Sequence, residues 1–138
     1  MNKESYKIIE LPKHFDPRGS LTVSEEIINV PFHIASTEWL YSLTFGASLS
    51  KQTYTNAKIF IVPLSGSFTI KISDGKESTK FFLNRPNKAL YIDKGIWTEI
   101  TECANGTVIL VLSNKLEQER TTIRQWEKYQ TWVDNHII

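Results

Sequence analysis

Nine short segments rich in β-branched and aromatic residues follow one another along this chain, each ended by turn-forming residues. Tyr6–Glu10, Leu21–Glu25, Trp39–Thr44, Lys58–Pro63, Ser67–Ser73, Glu77–Leu83, Ala89–Ile92, Trp97–Glu102 and Thr107–Ser113 read as strands. Between them lie Asp16-Pro17-Arg18-Gly19, Ser65-Gly66, Asp74-Gly75, Arg85-Pro86-Asn87, Asp93-Lys94-Gly95 and Asn105-Gly106. Asp74-Gly75 and Asn105-Gly106 are the dipeptides of tight hairpins, because both positions tolerate positive φ. Strands this short at this spacing predict a sandwich or jelly-roll barrel.

The pattern inside individual segments adds detail. Phe68-Thr69-Ile70-Lys71-Ile72-Ser73 alternates, so one face turns inward and the other meets water. Val108 through Leu112 is apolar without a break, as a strand covered on both faces would be. The tail differs: Ile123, Trp126, Gln130 and Val133 recur at helical intervals, and Asn114 through Glu117 has the form of a capping box. The expected architecture is therefore all-β, a jelly-roll barrel with a short C-terminal helix. It forms one domain over residues 1–138, with 115–138 as a helical tail that packs Ile123, Trp126 and Val133 on the barrel or on a partner.

Bulk properties narrow the function. The formal charge is +1, from 16 basic and 15 acidic residues that are interspersed, which argues against nucleic-acid binding. Lys3, Glu4, Lys7 and Glu10 break any signal-like apolar run, and no segment reaches the ~20 apolar residues needed to span a bilayer. The lone Cys103 has no partner for an internal disulfide, which suits a reducing cytoplasm, and it reads as a small buried hydrophobe. His14, His33 and His136 are scattered, with no ligand or dyad spacing.

Two resemblances bear on chemistry. The interval from Gly46 to Gly66 resembles a cupin's first metal motif, in which a glycine stands five residues before a His-x-His, followed by a glutamate and a closing glycine. Here the ligand slots hold Gln52, Tyr54 and Ile59, and the second motif's histidine falls on Thr98. A divalent transition metal wants imidazole, carboxylate or thiolate donors. None of the four offers one, so no metal and no cofactor are expected.

Phe15-Asp16-Pro17-Arg18-Gly19-Ser20-Leu21-Thr22-Val23 with Val30-Pro31-Phe32 carries the second likeness. So do Leu64 to Phe68, Asp74-Gly75-Lys76, Leu83 to Ile92, Gly95-Ile96-Trp97 and Ile123-Arg124. Together these resemble the WxcM-like cupins, the dTDP-sugar 3,4-ketoisomerases of deoxysugar and O-antigen biosynthesis. The resemblance implies a homodimeric jelly roll that moves the keto group of dTDP-4-keto-6-deoxyglucose from C4 to C3 through an enediol. It also implies a His-Ala-His run that shuttles the protons, a task suited to a side chain titrating near neutrality. Those positions fall on Gln52-Thr53-Tyr54. The family's arginine before the pair corresponds to Leu49, and its Arg-x-Tyr to Ser36-Thr37-Glu38.

The departures leave three readings. One is a working nucleotide-sugar isomerase whose acid/base groups have moved, drawn from Tyr54, Glu99 and Gln52. Glu99 enters by elimination, if it and Trp97 face the lumen. The second is a binding module, non-catalytic or altered in activity, that holds a dTDP-linked or similar sugar. Its ligand contacts would come from Arg18, Tyr41, Arg85, Tyr91 and Trp97. The third is a structural dimer without a ligand. Joint loss of the histidines and arginines favours the second. Each residue also has a plain structural reading: Asp16 to Gly19 and Arg85 to Lys88 as turns, Trp97 as packing, Tyr41 and Tyr54 as ordinary strand aromatics.

Overall fold

The computed structural model describes residues 1–136; Ile137 and Ile138, the last two residues of the expected tail, lie outside the described residues. One antiparallel sheet has the order β1-β9-β6-β11-β4, built from Tyr6–Glu10, Lys88–Ile92, Ile59–Ser65, Val108–Ser113 and Ser36–Leu40 respectively. The second has the order β12-β5-β10-β7-β8, built from Thr122–Ile123, Leu49–Tyr54, Trp97–Thr101, Phe68–Ser73 and Ser78–Leu83. A separate hairpin pairs β2 (Lys13–Asp16) with β3 (Gly19–Thr22), and one helix, α1, covers Trp126–His136. This is the expected all-β jelly roll with a short C-terminal helix.

Pleating sorts the side chains into layers. Ile59, Ile61, Ile92, Ile109 and Val111 of the first sheet meet Phe68, Ile70, Ile72 and Ile100 of the second in the central core. The other face of the first sheet buries Phe60, Val62, Ala89 and Leu112 beneath Leu11, Val30 and Phe32. That is why β11 is apolar throughout: alternate residues enter two different clusters. β7 shows the complementary case, with Phe68, Ile70 and Ile72 fully buried between the more accessible Thr69 and Lys71. Cys103 is buried in the central core, where burial raises its thiol pKa.

Several boundaries differ from expectation. The first turn joins β2 to β3, so the strand expected at Leu21–Glu25 begins earlier, at Gly19. Asp74-Gly75 lies in the β7–β8 hairpin as predicted, but Asn105-Gly106 crosses from β10 in one sheet to β11 in the other. The Asn114 carboxamide accepts from the Lys58 N–H at 2.8 Å rather than capping a helix. The chain then makes a 3₁₀ turn at Glu117–Glu119 and enters β12, so among the described residues of the expected tail only 126–136 are α-helical.

Gly66 explains why the turn after β6 needs glycine. It sits at φ +74°, and an added Cβ would stand 2.7 Å from Thr107 Cα. Left-handed backbone costs a substituted residue about 1–2 kcal/mol, and here the clash adds to it. Gly66→Ala is expected to destabilise by more than about 2 kcal/mol in chemical denaturation, well beyond an exposed-loop substitution.

The helix is anchored on the outer face of the second sheet. Tyr129 is fully buried against Trp97, and its hydroxyl reaches Gly95 O at 2.7 Å and Ser73 O at 3.1 Å. Burial first, with Asp74's charge adding, pushes its pKa up to about 12. Tyr91, packed against Phe32, also rises to about 12, through burial and then the Asp93 carboxylate. An unfolded chain would ionise both near 10.0, the ordinary value. Between that pH and about 12 the unfolded state therefore holds fewer protons than the folded one. The stability that the two tyrosines confer is complete below pH 10 and is lost as the pH climbs toward 12. Melts across this window should show a falling Tm whose slope lessens in Tyr129→Phe.

Candidate functional site

Register determines what faces the space between the sheets. Glu38 pairs with Val111 and Leu40 with Ile109, so Glu38 and Leu40 turn inward with those core residues. Across the barrel Gln52 pairs with Thr98, and Tyr54 lies on the same face of β5 as Gln52. A one-residue slip of either strand would send these polar groups outward. Together with Ile59, Ile61, Ile92, Ile96 and Ile100 they line a cavity of about 180 Å³. Pockets that hold drug-sized ligands run to roughly 300–1,000 Å³, so this one suits a single ring, with the rest of any larger ligand outside.

The polar end of the cavity is organised by Arg120. It leaves the chain between the 3₁₀ turn and β12, a segment stitched to the barrel by bonds from Asn56 Nδ2 to Glu119 O and from the Thr121 N–H to Asn56 Oδ1. From there the guanidinium reaches β4 and β5 together. Its Nη1 donates to Glu38 Oε1 at 2.8 Å and to Tyr54 Oη at 3.4 Å; Nη2 donates to Ser36 Oγ at 2.8 Å. The guanidinium carbon sits 5.1 Å from the Tyr54 ring centroid, a cation–π distance. The Arg120 side chain is 3% exposed and that of Glu38 40%. Burial works against the Arg120 charge, but the Glu38 carboxylate, helped by Tyr54, outweighs it and holds the pKa above the ordinary value. Arg120 Nε is buried with no hydrogen-bond partner among the described residues.

Tyr54 receives a second donor, because Gln52 Nε2 bonds its hydroxyl at 2.9 Å. Thr98 Oγ1 donates to Gln52 O at 3.3 Å and Thr53 Oγ1 to Ile96 O at 2.8 Å, so β5 and the β9–β10 connection are held to each other at the wall.

Of the residues singled out from sequence, all four empty ligand slots, Gln52, Tyr54, Ile59 and Thr98, line this cavity; Arg18, Tyr41, Arg85, Tyr91, Trp97 and Glu99 do not. Glu99 and Trp97 alternate with Thr98 and Ile100 and point away from the lumen, which corrects the expected orientation. Glu99 lies 3.9 Å from Lys71 on the outer face, and Trp97 is buried beneath α1 with Tyr129 and Val133. Tyr91 also faces outward, on the far side of the first sheet. Arg18 is exposed and held by Asp16 in a two-point pair, Nε–Oδ1 at 3.0 Å and Nη2–Oδ2 at 2.8 Å. Tyr41 and Arg85 are exposed, just beyond β4 and in the β8–β9 turn. His14, His33 and His136 are exposed as well, and none lines the cavity.

Sequence reasoning misses Glu38 and Arg120. Glu38 sits in a strand whose outward residues, Thr37 and Trp39, are no more polar as a set than its inward ones. Arg120 comes directly after Glu117-Gln118-Glu119, where a charged residue reads as solvated surface.

Comparison with known proteins agrees with this architecture. A TDP-4-oxo-6-deoxy-α-D-glucose 3,4-oxoisomerase from Aneurinibacillus thermoaerophilus is 26% identical over 127 residues, 92% of this chain and 91% of its own. The crystal structure of the WlaRB TDP-quinovose 3,4-ketoisomerase from Campylobacter jejuni is 30% identical, with a TM-score of 0.87 over 93% of this chain and 98% of that one. The fold is shared with a variant of the QdtA 3,4-ketoisomerase from Thermoanaerobacterium thermosaccharolyticum, solved with TDP-4-keto-6-deoxyglucose. That pair is 24% identical, with a TM-score of 0.92 over 100% of this chain and 99% of that one. These relatives are TDP-sugar 3,4-ketoisomerases. Residues 4–134 match the family described as "FdtA: WxcM-like, C-terminal", and to that family this chain belongs.

Proposed function

We propose that this chain binds a nucleotide-linked keto sugar, TDP-4-keto-6-deoxyglucose or a close analogue, with the sugar ring in the barrel cavity and the nucleotide outside, and that its activity there is altered from imidazole-based isomerisation. The single observation behind this reading is the wall itself. Gln52 and Tyr54, hydrogen-bonded to each other, occupy the places that the family likeness assigns to imidazoles, while all three histidines stand on the surface. A phenol and a carboxamide can orient a hydroxylated ring, but neither accepts a proton readily at neutral pH. Active isomerisation through relocated groups is a second reading, favoured by the carboxylate and guanidinium that meet beside Tyr54.

Calorimetric titration with TDP-4-keto-6-deoxyglucose, coupled to proton NMR of the mixture, tests the proposal. Saturable binding is expected, with conversion to the 3-keto isomer about 10²–10⁴-fold slower than by the Aneurinibacillus enzyme, as suits loss of the imidazole base. No binding would refute the assignment of ligand, and conversion at the relative's rate would refute the altered activity.

A further inference from the structure

We infer that Glu38 is the proton acceptor of this cavity and Tyr54 its proton donor, with Arg120 as the positioning residue that holds both; this rests on the reading that a keto sugar occupies the cavity. Glu38 is the inward-facing carboxylate of β4, held through Oε1 by Arg120 and still 40% accessible, so it is steady in position without being sealed off. Tyr54 complements it. A phenol oxygen has two lone pairs and one proton. Gln52 Nε2 and Arg120 Nη1 both donate to that oxygen, which leaves the O–H to point at an acceptor in the cavity. The same two donors would stabilise the phenolate left when the proton departs. One nitrogen, Arg120 Nη1, thus anchors both the carboxylate and the phenol.

An α-hydroxy ketone matches this pair. Glu38 takes the proton from the carbon beside the carbonyl, and the C–H electron pair becomes the C=C bond of an enediol. The carbonyl oxygen receives the Tyr54 proton. Return of the proton from the Glu38 carboxyl to the original carbon restores the substrate, with Tyr54 recovering its own. Return to the neighbouring carbon moves the ketone, with Tyr54 then reprotonated by the other enediol hydroxyl. One proton leaves carbon and one arrives, so no oxidant, reductant or co-reactant is needed. Where the carboxyl proton exchanges with water during the life of the enediol, the sugar acquires deuterium from D₂O even when the ketone stays in place.

The experiment measures deuterium incorporation into TDP-4-keto-6-deoxyglucose in D₂O by proton NMR, with binding measured in parallel by calorimetry. The wild-type protein should exchange the proton beside the carbonyl faster than buffer does. Glu38→Gln keeps an oxygen for Arg120 but cannot take the proton, and should lose about 100-fold or more in exchange rate with the sugar still bound. Glu38→Asp keeps the charge against Arg120 and retracts it by one methylene. If Glu38→Gln fails to fold, Glu38→Asp carries the test, with a loss of about 10-fold expected. Arg120→Lys should lower the exchange rate at saturating sugar while the half-saturating concentration stays within about threefold, which a merely structural loss would not do. Binding without exchange, or exchange at the wild-type rate in Glu38→Gln or Glu38→Asp, overturns the inference and leaves the ligand assignment standing. Absence of binding overturns the ligand assignment, and the inference with it.

Discussion

Glu38→Ala is expected to destabilise the protein by about 3 kcal/mol, and by more than the removal of its cationic partner. The pair is asymmetric: the Arg120 side chain is 3% exposed, whereas that of Glu38 is 40% exposed. Taking away the carboxylate strands a guanidinium that has almost no access to water. Breaking a buried ion pair in this way typically costs about 3–5 kcal/mol. The lower end applies here, because Ser36 Oγ and Tyr54 Oη still accept from the guanidinium. Arg120→Met leaves behind a carboxylate that water can solvate and fills part of the space with apolar atoms, so about 1–2 kcal/mol is expected. The double variant should be more stable than Glu38→Ala alone, since no buried charge remains unpaired. Urea denaturation of the four proteins measures all three differences. Additive losses would mean that the two side chains do not depend on each other.

Tyr129→Ala should cost about as much or more, roughly 3–5 kcal/mol, a Tm fall of about 10–20 °C for a domain of this size. Its fully buried ring lies within 5.3–6.1 Å of the ring centroids of Trp97, Trp126 and Trp132. Its removal opens a void under the helix and takes the hydroxyl from two backbone carbonyls. The consequence extends to the cavity, because Trp97 lies on the reverse of the strand that presents Thr98 and Ile100 to the lumen. A comparison with Tyr129→Phe separates the hydroxyl, worth about 1–3 kcal/mol when its partners are left buried, from the ring. A loss below about 1 kcal/mol for the alanine variant would show that the helix does not hold the barrel wall.

These two sites also mark where the amino-acid sequence is readable and where it is not. Strands that fill the core are plain in it. β7 alternates because it buries side chains at a period of two, β11 is apolar on both faces because each face meets a cluster, and β1, with half-buried Tyr6, Ile8 and Ile9, has its predicted bounds. β5 carries Gln52 and Tyr54 and is not among the predicted strands. Leu49-Ser50-Lys51-Gln52-Thr53-Tyr54 lacks apolar alternation because part of its inward face, Gln52 and Tyr54, borders the polar end of the cavity rather than the core. Arg120 is illegible for a different reason. Its role arises from contacts with residues 66 to 84 positions away, and no local pattern encodes a distance of that kind. The helix is legible, but its periodicity points to Trp126, which keeps 39% of its surface exposed, and passes over the fully buried Tyr129. Periodicity finds a buried face and does not say which aromatic on it goes deepest.

A crystal structure of the protein with TDP-4-keto-6-deoxyglucose would test the account most directly. The sugar ring should lie between β4 and β5, its carbonyl oxygen within hydrogen-bond distance of Tyr54 Oη and the adjacent carbon facing the Glu38 carboxylate. A sugar held outside the barrel, or one met in the lumen by His33 rather than by Glu38 and Tyr54, would contradict it.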